Sequence, residues 1–158
     1  MSMQQIGIIV LVAALAALIY VEVQKRSTFA KIEHYMEEQD FASVLALLDR
    51  PITRVLYPAY NRLFMRLNAC LAMGDTEASA RVIEEMLPLR MTKQQELALA
   101  LKAFSFYVEI EDKDGAGKML ERIEAHGSKE MAQMSRQTYE IFLCGSTAYI
   151  DEMEAALA

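Results

Sequence analysis

The chain is 158 residues long and carries 22 acidic against 16 basic side chains, a formal net charge of −6, with no tryptophan and only three prolines. That acidity excludes nucleic acid as a partner, because phosphates require a basic surface. The rest of the composition, rich in Ala, Leu, Met, Glu, Lys and Gln, favours helix, and no stretch shows the sustained two-residue alternation of a sheet.

In chain order, the first element is residues 6–21, IGIIVLVAALAALIYV, and no charged side chain occurs between Met1 and Val21. As a helix this run reaches roughly 24 Å, a little short of a hydrocarbon core of about 30 Å. Gln4, Gln5 and Tyr20 suit the two interfaces, so a single spanning helix with slight bilayer thinning is the expectation. A secretory signal would want a basic segment ahead of the run, and residues 1–5 have none. The cleavage-like Ala14-Leu15-Ala16 lies inside the run and would cut it short. A buried core helix is the third reading, but this one is apolar on every face, which a small helical domain can rarely cover.

Lys25, Arg26 and Lys31 follow the run and no Lys or Arg precedes it. The positive-inside bias therefore puts the N-terminus outside and the remainder in the cytoplasm. Residues 1–26 are expected to be a membrane anchor with its basic flank, and residues 27–158 a helical domain. The anchor holds Glu22 against Lys25 and Arg26, so the domain is more acidic than the whole chain. It is expected to stand off anionic lipid beyond those juxtamembrane cations.

Residues 27–38 place Phe29, Ile32, Tyr35 and Met36 at helical spacing, and Asp40 is a natural N-cap for residues 41–49. Pro51 stops that helix, residues 52–57 carry no clear signal, and Pro58 opens a longer helix to Met73 with Leu63, Phe64, Leu67, Cys70 and Leu71 apolar. Gly74 closes it and Asp75 caps the next, whose face is Val82, Ile83, Met86 and Leu87 before Pro88. Thr92 and Gln95 make a capping box for residues 93–110. An acidic turn at 111–115 leads into residues 116–125, with Met119, Leu120 and Ile123, and His126-Gly127 stops them. Ser128 opens residues 129–144, Gly145 ends them, and Ser146 or Thr147 caps a last helix carrying Ile150, Met153 and Leu157. Beyond the anchor this makes eight helices in four hairpins.

The turns recur. Asp40, Asp75, Asp112 and Ser146 follow at intervals of 35, 37 and 34 residues, each between a helix end and a helix start. A period in the mid-thirties with two helices per unit is the signature of a helical-hairpin solenoid. The segment Asn68-Ala69-Cys70-Leu71-Ala72-Met73-Gly74-Asp75, with Tyr35 before the first turn and Tyr107 before the third, resembles a tetratricopeptide repeat at its elbow. Leu67 and Phe104 stand where that family prefers glycine, its tryptophan has no counterpart, and Val44 and Ser79 replace its alanine. An ordinary helical bundle with evenly spaced turns is the competing architecture.

The resemblance implies an all-α fold of about four stacked antiparallel hairpins, whose first helices line a groove for a peptide or a partner helix. Carried onto this sequence, the groove positions are Glu33 and Met36, then Asn61, Phe64, Asn68 and Leu71, then Leu101, Ser105 and Val108, then Ser135, Tyr139 and Phe142. Asparagine suits such a groove because its amide both donates and accepts. The Lys or Arg with which some members clamp a C-terminal carboxylate is missing beside it, so that ligand is not expected. Simple core packing is the alternative for Phe64, Leu71 and Val108.

Residues for chemistry are scarce. His34 and His126 are the only histidines and neither has metal-ligand spacing. His34 with Glu33, Glu37 and Glu38 reads as a solvated face, and Glu109, Glu111, Asp112 and Asp114 as a solvated turn rather than a cation site. No nucleophile elbow, P-loop or dinucleotide glycine fingerprint occurs, and Gly115-Ala116-Gly117 follows a helix rather than a strand. Cys70 and Cys144 sit in apolar helical patterns and read as two buried free thiols, with one disulfide as the alternative. The 11 methionines fall mostly on apolar faces, as core filler.

No enzyme, cofactor or metal is therefore expected. The expectation is an adaptor tethered to the bilayer that recruits a protein partner through its groove. An accessory subunit of a membrane complex, packed through the small face at Ala13 and Ala17, is the alternative. An exported assembly chaperone is a third.

Overall fold

The structure is a computed structural model describing residues 3–145, and every regular element among the described residues is an α-helix. The last helix expected after Gly145 lies outside the described residues.

Helix α1 (Met3–Glu37) is continuous over 35 residues, roughly 52 Å. The sequence divides it into an anchor and a separate helix from residue 27, but the backbone does not break there. Between Glu22 and Glu37 no Gly or Pro interrupts the chain, and Arg26 Nε donates to Glu22 Oε1 at 3.2 Å, one turn back, across the change of environment. The N-terminal part is long and apolar enough to cross a membrane. Its side chains from Gln5 to Val23 are all exposed, Leu18 at 67%.

The chain divides into two compact parts, residues 1–82 and 83–158. In the first, α2 (Phe41–Leu48), α3 (Pro51–Leu56) and α4 (Ala59–Ala72) pack with the polar-flanked end of α1. Ile32, Val44, Leu47, Leu48 and Ala69 form the buried cluster, edged by Tyr35, Met36, Phe41, Leu45 and Met65. The segment without clear signal becomes α3: Pro51 sits at its first turn, where the missing N–H costs nothing. Thr53, fully buried, donates its hydroxyl to Leu47 O at 2.7 Å.

Helix α5 (Thr76–Met86) spans the boundary and buries Ser79, Val82, Ile83 and Met86. In the second part α6 (Lys93–Glu109), α7 (Lys113–His126) and α8 (Lys129–Cys144) pack around Leu99, Ala103, Phe104, Met119 and Ile123. The Thr92–Gln95 capping box is present in both directions. Helix α7 begins at Lys113 rather than Ala116, because Asp112 caps it and draws Gly115 into the first turn. On α8, Met131 and Met134 are exposed rather than core filler, and Phe142, an expected groove position, is 71% exposed.

Three of the turns share one geometry. Gln39, Gly74 and Glu111 all take positive φ, between 58° and 68°. The next N–H, of Asp40, Asp75 and Asp112, reaches back to Tyr35 O, Cys70 O and Tyr107 O at 2.8, 3.0 and 2.8 Å. This is the Schellman helix stop. Each aspartate then caps the following helix, accepting at Oδ1 from the N–H of Ser43, Ala78 or Gly115.

Candidate partner-binding site

Helix periodicity puts Phe29, Ile32, Glu33, Met36 and Glu37 on one face of α1, and Met65 and Asn68 on one face of α4. Together these seven side chains line a cavity of about 260 Å³. Met36 and Met65 rest on the buried cluster and make an apolar wall with Phe29 and Ile32. Glu33 and Glu37 are exposed at the rim, and neither has an ion pair among the described residues. The side-chain oxygen Asn68 Oδ1 is buried without a hydrogen-bond partner. An unpaired buried acceptor costs about 1–3 kcal/mol. An apolar floor, two free carboxylates and an unsatisfied amide suit one or two side chains of a partner, an apolar one with a cation or other donor beside it.

Glu33, Met36 and Asn68 of the expected groove are thus brought together. Phe64 instead stacks on Tyr60, with ring centroids 5.5 Å apart at 20°. Asn61 is exposed and Leu71 half-buried on α4. In the second part of the chain Leu101 and Val108 are half-buried on α6, and exposed Ser105 donates to Leu101 O of its own helix at 3.2 Å. Tyr139 on α8 donates to Lys113 O at 3.4 Å, and Ser135 is buried. Sequence reasoning missed Phe29, Glu37 and Met65. The signal for the first two was present: they are one turn from Glu33.

On the α1–α2 pair a second cavity, of about 140 Å³, is lined by Lys31, Tyr35, Ser43, Ala46, Leu47 and Arg50. Its character is opposite: two cations and two hydroxyls.

Glu96 accepts from Arg122 Nη1 at 2.8 Å and lies 3.2 Å from His126 Nε2, clasping α6 to α7. His34 lies 3.4 Å from Glu38 on the exposed face of α1. Among the described residues no group of three or more His, Cys, Asp or Glu is arranged to hold a metal ion. Both cysteines are free, but only Cys70 is buried, and burial pushes its thiol pKa up. Cys144 is exposed at the end of α8, which corrects the expectation of two buried thiols.

No protein-family model, curated protein or solved structure matches this chain.

Proposed function

We propose that this protein is a membrane-tethered adaptor: α1 anchors it, and the cavity between α1 and α4 holds a short basic and apolar segment of a partner protein. The observation that carries this is the cavity itself, where an apolar wall meets the unpaired Glu33 and Glu37, on the same helix that carries the apolar run, and the unsatisfied Asn68 oxygen on α4. A cation beside an apolar side chain would answer all three polar groups at once. Tethering raises the local concentration of whatever is bound and requires no chemistry. The cations that follow the apolar run favour a cytoplasmic domain with the N-terminus outside. The three equivalent turns support a tetratricopeptide-like stack of hairpins as the architecture.

The test is a photo-crosslinking side chain at Met36 of the full chain in its native membrane. A specific adduct is expected, and Asn68→Ala combined with Glu33→Gln and Glu37→Gln should reduce it about tenfold or more, as loss of a charge-assisted hydrogen bond would. An adduct of unchanged yield in that variant removes the cavity from the function.

A further inference from the structure

The continuity of α1 sets the height above the bilayer of whatever packs on it. Lys25 lies four residues beyond Val21, the end of the apolar run, which is roughly 6 Å along the axis. The headgroup region adds about 5–8 Å to each side of the hydrocarbon core, so Lys25 is at headgroup depth if α1 spans. Helix α3 packs on α1 at this level. Tyr57, which ends α3, donates its hydroxyl to Lys25 O at 2.7 Å, holding the short helix there.

What α3 turns outward does not suit water. Thr53 and Leu56 are buried, while on the other side Val55 is 79% and Ile52 45% exposed. Arg50 and Arg54, one turn apart, flank that apolar pair. Lys31 joins Arg50 at the smaller cavity. Lys25, Lys31, Arg50 and Arg54 have no ion-pair partner among the described residues, although the whole chain is acidic. Free cations around exposed aliphatic side chains, at headgroup depth, match a phospholipid surface: phosphates for the cations and the acyl boundary for Ile52 and Val55.

We propose that α3 is an interfacial element: Ile52 and Val55 enter the headgroup region beside α1, and Arg50 and Arg54 bind lipid phosphates. The first helical layer then lies on the membrane instead of standing off it, as overall charge alone would have it. This rests on the reading of α1 as a span.

The test uses the full chain with Cys144→Ser, reconstituted in phosphatidylcholine–phosphatidylglycerol vesicles whose lipids carry a nitroxide at a deep or a shallow acyl position. A fluorophore is placed singly at Val12→Cys in the run, at Val55→Cys on α3, or at Ala42→Cys, an exposed site at the far end of the α1–α2 pair. The expected result is quenching of Val12→Cys by the deep nitroxide and of Val55→Cys by the shallow one, severalfold above Ala42→Cys. Adding Arg50→Gln and Arg54→Gln should lower the Val55→Cys signal. Quenching at Val12→Cys with Val55→Cys as silent as Ala42→Cys overturns the interfacial role and leaves the anchor standing. No quenching at Val12→Cys overturns the anchor, and the inference with it. A Val55→Cys signal indifferent to the arginine changes overturns their assignment to phosphate.

Discussion

At Gly115 a Cβ would lie 2.6 Å from Tyr107 Cδ1 and 2.8 Å from Asp112 Oδ2. The equivalent residues after the other two capping aspartates are Ser43 and Ala78, which carry a Cβ without difficulty. The difference is the placement of the Tyr107 ring, which is buried against α7, whereas Cys70 stands at that position in the second turn and Tyr35, in the first, is only half-buried. Two effects compete in Gly115→Ala. Helix propensity gains roughly 0.5–1 kcal/mol, whereas forcing a methyl into packed atoms costs about 1–3 kcal/mol. At 2.6 Å the clash wins, so Gly115→Ala should lower the melting temperature of the detergent-solubilised chain. Gly117→Ala meets nothing nearer than Tyr139 Oη at 3.4 Å and should be neutral or stabilising by up to roughly 1 kcal/mol. Equal losses in the two melts would refute this account.

At the scale of elements the helix stops and caps carry the order. Asp112 accepts from Gly115 N–H at 2.9 Å, and Asp112→Ala should destabilise α7 by about 0.5–2 kcal/mol, read as a lower thermal midpoint. Asp40 adds a pH dependence. The Ser43 hydroxyl and N–H hold its carboxyl below its ordinary value of 3.8. A depressed folded-state value means that this stabilisation is complete above pH 3.8 and is lost as pH falls through the lower, folded value. Acid titration of α2 in the full chain should show that loss, and Asp40→Asn, which keeps a capping oxygen, should abolish its pH dependence. The caps at Asp40, Asp75, Thr92 and Ser128 were legible because a cap is a local bond between residues three apart, whereas Asp112 read only as part of an acidic turn ahead of a helix starting at Ala116. The continuity of α1 and the existence of α3 were not. The first depends on the absence of a breaker where the environment changes. The second depends on Thr53, Leu56 and Tyr57 finding partners on α1 and α2.

For the whole molecule, the adaptor and accessory-subunit readings differ in what the anchor must recognise. Ala13 and Ala17 are both exposed and one turn apart, a face that a second membrane helix could approach closely. Under the adaptor reading, Ala13→Leu with Ala17→Leu leaves the chain in the membrane fraction, its native-gel mass unchanged and the Met36 adduct intact. A fall in complex size with those changes would transfer the function from the cavity to the anchor.

Hydrophobic patterning and local capping chemistry alone determined that the chain is helical, that its first helix is apolar enough to cross a bilayer, and where most helices start and stop. These properties need no knowledge of distant residues. Tertiary structure alone decided which face became concave and which side chains stayed unsatisfied. Asn68 joined Glu33 and Met36 because α2 holds α1 and α4 at that spacing, whereas Phe64, one turn away, went to Tyr60 instead. Pattern names the face of a helix, but only the packed neighbour determines whether that face is filled, leaving a cavity where the neighbour falls short.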